Sequence, residues 1–291
     1  MAEESLRPAA FTPVDIEGLE RPVVAATEIP YGRGGDVELQ LDLYRPAGEV
    51  SRRPAVVFIH GGGWCGGEKE HYRDLAAQVA SRGYTCASVD YRLSPQAPFP
   101  AAAEDCKCAV RWLRAHAREC GVDADRVGVL GGSAGAHLAA MVALTPGQFE
   151  GEGGSPDFPS AVRASVCYCG PFDLTVTSPP VLADAAEQFV KPSGPADRHA
   201  ACWRASPMQY VTSSAPPFLL VHGDRDDIVP VEQAERFAAA LQAVGVPVEF
   251  VRVRYGNHGF EPVGAPATQP DAAAVTFCVM SFLDSHLGRV G

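Results

Sequence analysis

Arg126-Val127-Gly128-Val129-Leu130-Gly131-Gly132-Ser133-Ala134-Gly135-Ala136-His137-Leu138-Ala139-Ala140-Met141-Val142-Ala143-Leu144 is the stretch that decides the fold. Residues 126–130 read as a short buried strand and 136–144 as a helix. Between them Gly131–Gly135 fits Gly-x-Ser-x-Gly, which puts Ser133 on a strand-to-helix elbow. The flanking glycines remove side chains that would clash in so tight a turn, and the turn holds the serine Oγ where a ligand can reach it. The elbow also puts the Ala134 N–H at a helix N-terminus, where free donors and the helix dipole favour an anion.

Working outward, the apolar strand Ala55–Ile59 runs into His60-Gly61-Gly62-Gly63-Trp64. Successive glycines leave backbone N–H groups bare, as an oxyanion hole requires, where one donor contributes roughly 100- to 1000-fold in rate. Gly62, Gly63 and Ala134 are the expected donors. A phosphate cradle is disfavoured because no Lys-Ser/Thr pair follows the glycines. His60 is expected to brace this loop.

Downstream, the strand Pro217–Val221 ends in His222-Gly223-Asp224-Arg225-Asp226-Asp227-Ile228-Val229-Pro230. Three acids share the loop, and spacing alone does not choose among Asp224, Asp226 and Asp227. An amphipathic helix over 231–244 and a strand over 247–253 follow, and the next loop, Gly256-Asn257-His258-Gly259-Phe260, carries a histidine. One strand-helix-strand unit thus brings an acid and a base to the same sheet edge, in the chain order Ser, Asp, His.

These motifs together resemble the esterase/lipase type of α/β-hydrolase, in the branch of acetyl-esterase- and feruloyl-esterase-like carboxylesterases, over residues 35–290. Asp90-Tyr91-Arg92-Leu93-Ser94-Pro95, Phe99-Pro100, Asp105 and Arg111-Trp112-Leu113-Arg114 add to the likeness. Hormone-sensitive-lipase-like esterases usually carry an Asp before the nucleophile, where this chain has Gly132, and a Gly-Gly ending where it has Gly135-Ala136. Their acid is commonly followed by Pro-Leu, and here by Asp227-Ile228. The smaller acetyl- and feruloyl-esterase branch is therefore the nearer likeness.

The resemblance implies an α/β fold with a mostly parallel twisted sheet of about eight strands flanked by helices. It implies a Ser133–His258–Asp226 triad acting through an acyl-enzyme on a small to medium neutral ester. His258 would act as base, so activity is expected to fall on the acid side of neutrality, since an ordinary histidine titrates near about 6.5. Trp64 and Phe260, beside the oxyanion loop and the base, are the expected substrate contacts, although both could simply wedge loops. An amidase of the kynurenine-formamidase kind would use the same residues, whereas a noncatalytic binder of this fold would usually have lost one of them.

Alternating strands and helices agree with a parallel sheet. Val37–Leu43 alternates strictly and is expected as a half-exposed antiparallel strand at the sheet edge. Residues 1–35 read as an N-terminal extension and 36–291 as the hydrolase domain. Residues 171–207, rich in Pro and Ala, are expected either to form a small helical lid or to be a surface excursion.

The net charge of −11 disfavours nucleic acid, anionic membranes and strongly anionic substrates as partners. The nine cysteines are scattered, and Met1–Ser5 is acidic without an apolar core. A reduced, cytoplasmic protein without a signal peptide is expected. Cys106-Lys107-Cys108 and Cys167-Tyr168-Cys169 lack the partners of a metal site, so neither metal nor cofactor is expected. Cys65 packs or touches substrate. His137 and His222 read as packing and loop support, and His71, His116, His199 and His286 carry no site context. The edge strand or the helix Ala272–Leu287 could serve a homodimer.

Overall fold

A computed structural model describes residues 11–48, 51–264 and 267–288. Nine strands form one sheet: β1 (Thr12–Pro13), β2 (Val23–Gly34), β3 (Val37–Pro46), β4 (Arg53–Ile59), β5 (Thr85–Val89), β6 (Val122–Gly132), β7 (Ser165–Tyr168), β8 (Phe218–Gly223) and β9 (Val248–Val253). Their spatial order is β1-β2-β3-β5-β4-β6-β7-β8-β9. The pairs from β1 to β5 are antiparallel, and those from β5 through β4 to β9 are parallel.

Every residue of β4, β5 and β8 is buried. That explains the apolar runs Ala55–Ile59 and Phe218–Val221, because a parallel strand covered on both faces has no polar side to show. One face of the sheet packs on α1 (Arg73–Ser81) and α8 (Ala272–Leu287), the other on α2 (Ala101–Ala115), α4 (Ala134–Leu144) and α7 (Glu232–Ala243). The short α3 (Ala117–Cys120) links α2 to β6, while α5 (Pro180–Val190) and α6 (Arg198–Arg204) occupy the segment between β7 and β8.

Two expectations are refined. β3 pairs antiparallel with β2, but β5 lies on its other side and β1 forms the edge. Its in–out alternation is accordingly confined to the first residues, and Leu41 to Tyr44 are all buried. The helix after the elbow begins at Ala134, two residues earlier than its apolar run suggests.

The strand order positions the site. From β4 the chain steps outward to β5, then returns to place β6 on the other flank of β4, so the loops leaving β4 and β6 diverge. Such a crevice at the carboxyl ends of parallel strands is where open α/β sheets bind ligands. Ile59 and Gly131 are register partners there.

Candidate active site

Ser133 has φ 56° and ψ −122°, a left-handed backbone costly for a residue with a Cβ. The surrounding chain enforces it. The Ser133 N–H donates to the Tyr168 carbonyl at the end of β7 (2.7 Å), and the Ser133 carbonyl accepts from His137 N (3.1 Å). A side chain at Gly135 would run into the Ile59 carbonyl, so the elbow packs directly on the end of β4.

Ser133, His258, Gly62, Gly63, Ala134 and Phe260 line one cavity of about 810 Å³. Among the described residues neither the Gly62 nor the Gly63 N–H has an acceptor. Ala134 opens α4, where an N–H has no intrahelical partner. The loop is held from behind. The Gly62 carbonyl accepts from Cys65 N (3.1 Å) and Gly66 N (3.0 Å). His60 is buried, its ring stacked on Tyr91 (4.2 Å between centroids) and its Nδ1 2.8 Å from the Gly61 carbonyl. Burial pulls its pKa down to about 4, so it braces the loop as a neutral ring.

The three acids of the β8 loop separate cleanly. Asp226 Oδ2 lies 2.7 Å from His258 Nδ1. Asp224 accepts from Tyr255 N (2.7 Å), tying the two loops together, and Asp227 is exposed. Asp226 is locked by its other oxygen, which accepts from Ile228 N (3.0 Å) and Val229 N (2.9 Å). Beneath it, the fully buried His222 places Nε2 2.8 Å from the Val229 carbonyl and 3.2 Å from Asp226 Oδ2. Both neighbours are acceptors, so Nε2 carries the hydrogen. Burial alone would raise the pKa of Asp226, but hydrogen bonds from His222 and His258 hold it well below the usual carboxylate range. On the same logic His258 carries its hydrogen on Nδ1, leaving the Nε2 lone pair free. Its loop is self-braced, with Asn257 Oδ1 accepting from Gly259 N and Glu261 N, both at 2.9 Å.

Trp64 lines the cavity, yet its indole is only 1% exposed and stacks on Phe189 (4.6 Å), while its Nε1 donates to His137 Nδ1 (3.2 Å). His137 in turn faces the Ala205 carbonyl through Nε2 (2.7 Å). This chain ties the Gly61–Trp64 loop to the segment carrying α5 and α6. Burial lowers the His137 pKa to about 4, and the indole N–H needs its Nδ1 unprotonated. Phe260 is half-buried against Tyr168 (5.8 Å). Cys65 is exposed on the glycine-rich loop after β4.

The donor atoms of Cys169, His222 and Asp226 lie within 4.8 Å of one another. Burial pushes the Cys169 thiol well up, and the carboxylate is already committed to two imidazoles and two N–H groups. A metal there would have to deprotonate that thiol and break those bonds. Tyr72 and Leu75 reach the cavity from one side together with His71, which was expected to carry no site context, and Val181, Leu182 and Ala185 of α5, in the segment expected as lid or surface excursion, reach it from another. No motif marks them, because tertiary packing alone brings them there.

Residues 41–241 match the BD-FAE family. The chain belongs to that family. Among curated relatives it is similar to "Esterase LipQ" of Mycobacterium tuberculosis, 34% identical across 94% of this chain and 66% of LipQ. It resembles "Esterase LipC" of the same organism at 35% identity over 83% of this chain and 62% of LipC. The chain thus spans a little under two thirds of those two relatives. Among solved structures it is similar to a thermophilic esterase, Est2, of Thermogutta terrifontis. That match has a TM-score of 0.76 and 29% identity, covering 91% of this chain and 94% of Est2. Est2 has also been solved butyrate-bound and phosphorylated by paraoxon. No described helix of this BD-FAE member is long and apolar enough to cross a membrane.

Proposed function

We propose that this BD-FAE protein is a serine carboxylesterase acting on small to medium neutral esters. The observation that carries the reading is the 2.7 Å contact between Asp226 and His258 in the cavity that also holds the Ser133 elbow and the unpaired Gly62 and Gly63 N–H groups. The esterases it resembles, and the Est2 form modified by an organophosphate, support the same reading.

His258 Nε2 takes the Ser133 proton as Oγ forms a bond to the acyl carbon. The carbonyl π electrons move onto its oxygen, which the N–H groups of Gly62, Gly63 and Ala134 receive. Collapse breaks the bond to the alkoxy oxygen, which leaves with the proton from His258. Water then attacks the acyl-enzyme by the same route, releasing acid and restoring Ser133. Asp226 fixes the imidazole tautomer and stabilises the imidazolium. Among the described residues the Ser133 hydroxyl makes no hydrogen bond, so in this reading it pairs with His258 as substrate settles. The segment 171–207 acts as a lid through α5.

The test is the initial rate on p-nitrophenyl acetate, butyrate and octanoate and the matching anilides, for wild type and Ser133→Ala. Ester turnover should fall by roughly 10⁴- to 10⁶-fold in the variant. Turnover that survives Ser133→Ala would remove the serine mechanism, and anilides outpacing esters would make the protein an amidase.

A further inference from the structure

Most side chains lining the cavity are apolar, but Tyr72 brings a hydroxyl to it. Tyr72 ends a 3₁₀ turn, Lys69–Tyr72, whose position is strongly determined. The buried Lys69 ammonium lies 2.6 Å from Glu28, 2.5 Å from Glu70, 3.7 Å from Asp42 and 3.9 Å from Asp90. The Lys69 N–H donates to Asp90 (2.8 Å), and its carbonyl accepts from Ser88 Oγ. The phenol ring packs on Phe58 (5.6 Å), and the His71 ring meets it at a steep angle (5.2 Å). Tyr72 is therefore fixed before any ligand arrives.

Its hydroxyl ends beside the nucleophile's own strand. A Cβ added to Gly132 would sit 2.7 Å from Tyr72 Oη, so the missing side chain is what gives the phenol its place next to Ser133. The residue is only 8% exposed, yet its oxygen has no hydrogen-bond partner among the described residues and is not among the sealed, unsatisfied atoms, unlike His222 Nδ1. It is open to the cavity. Burial raises its pKa, which keeps it a neutral donor.

We propose that Tyr72 is a substrate-binding donor that selects esters carrying a second oxygen, as a ketone, ether or hydroxyl, in the acyl or alcohol part. In the empty cavity water can satisfy the hydroxyl. An all-hydrocarbon ester would displace that water and leave a buried donor unpaired, whereas an oxygen-bearing ester replaces the bond. A site built around such a donor discriminates against the analogue lacking the acceptor. The inference rests on the reading of this cavity as the hydrolytic site.

Two matched pairs test it: ethyl pentanoate against ethyl levulinate for the acyl part, and heptyl acetate against butoxyethyl acetate for the alcohol part. The wild type should favour the oxygen-bearing member of at least one pair by about five- to tenfold in kcat/KM, expressed in KM, and Tyr72→Phe should bring that ratio to about one. The same ratios are read as Kd in Ser133→Ala and Ser133→Ala/Tyr72→Phe, which need no turnover. Absence of preference in both pairs, a preference that survives Tyr72→Phe, or equal losses on both members would overturn the proposal. Should Tyr72→Phe fail to fold, Gly132→Ala, whose methyl displaces the hydroxyl, must erase the same ratio. If no ester turns over but Ser133→Ala still shows the preference and Tyr72→Phe abolishes it, the subsite stands and the esterase reading falls.

Discussion

Two walls of the same cavity are built on opposite terms. On the acid–base wall, Asp226 engages two imidazoles and two backbone N–H groups, and the loops that carry it and His258 are cross-tied through Asp224 and Tyr255. On the other wall, Leu75, Val181, Leu182 and Val275 offer only apolar surface, and the Tyr72 hydroxyl has no partner among the described residues. A cross-tied polar network has one geometry, whereas an apolar wall accepts many shapes. In the proposed reading the first wall carries the chemistry and the second the choice of substrate.

Breaking the first wall should give the largest effect. Asp226→Asn keeps the shape but offers His258 Nδ1 an ambiguous partner, so kcat should drop on the order of 10⁴-fold with the ranking of acyl chains unchanged. A changed ranking would mean that the two walls are not separable. The roof joining them responds to pH instead. His60 and His137 are buried neutral with pKa values lowered to about 4, while unfolded histidine titrates near about 6.5. As pH falls below about 6.5 the unfolded chain takes up protons that the folded state refuses, so stability declines from about 6.5 toward 4. Together the two rings should remove about 4 kcal/mol by pH 5, measured by urea unfolding. Stability that stays level over that range would place charged histidines in the fold.

The first wall was far more legible in the sequence than the second, for physical reasons. Strands β4, β6 and β8 declare themselves because burial on both faces demands unbroken apolar runs, and glycines at 61–63 and 131–135 mark where backbone must approach closely. Spacing alone leaves the acid three ways open and the resemblance points to Asp226, because the choice lies in how one loop turns. The bonds from Ile228 and Val229, with His222 beneath, aim the Asp226 carboxylate at His258. No motif marks Tyr72, and His71 reads as lacking site context, since it is a buried lysine network that places their turn over the cavity. The edge reading of β3 failed because β5 covers a flank that alternation cannot report.

A smaller effect should sharpen the division within the first wall. His222→Phe removes the lower donor to Asp226 while keeping an aromatic ring in a fully buried position. A hydrogen bond to a charged group contributes about 1.5–3 kcal/mol, of which His258 stabilisation shares about half, so kcat should fall about three- to tenfold. The acid limb of the pH–rate profile should shift with it. An unchanged limb with reduced stability would make His222 a packing residue only.

The narrowest effect belongs to the second wall. Val181, on α5, lines the cavity although it is 52% exposed, which places it at the cavity's rim. An octanoyl chain has carbons to bury there and an acetyl group does not, each buried methylene contributing up to about 0.8 kcal/mol. Val181→Asp puts a carboxylate where those carbons would lie, so kcat/KM for p-nitrophenyl octanoate should fall by roughly tenfold, with a much smaller loss for the acetate. Equal losses on both esters would instead place α5 against the reacting groups, and the rim would then belong to the chemical wall. No loss on either would mean that α5 does not cover the bound chain, leaving 171–207 as a surface excursion rather than a lid.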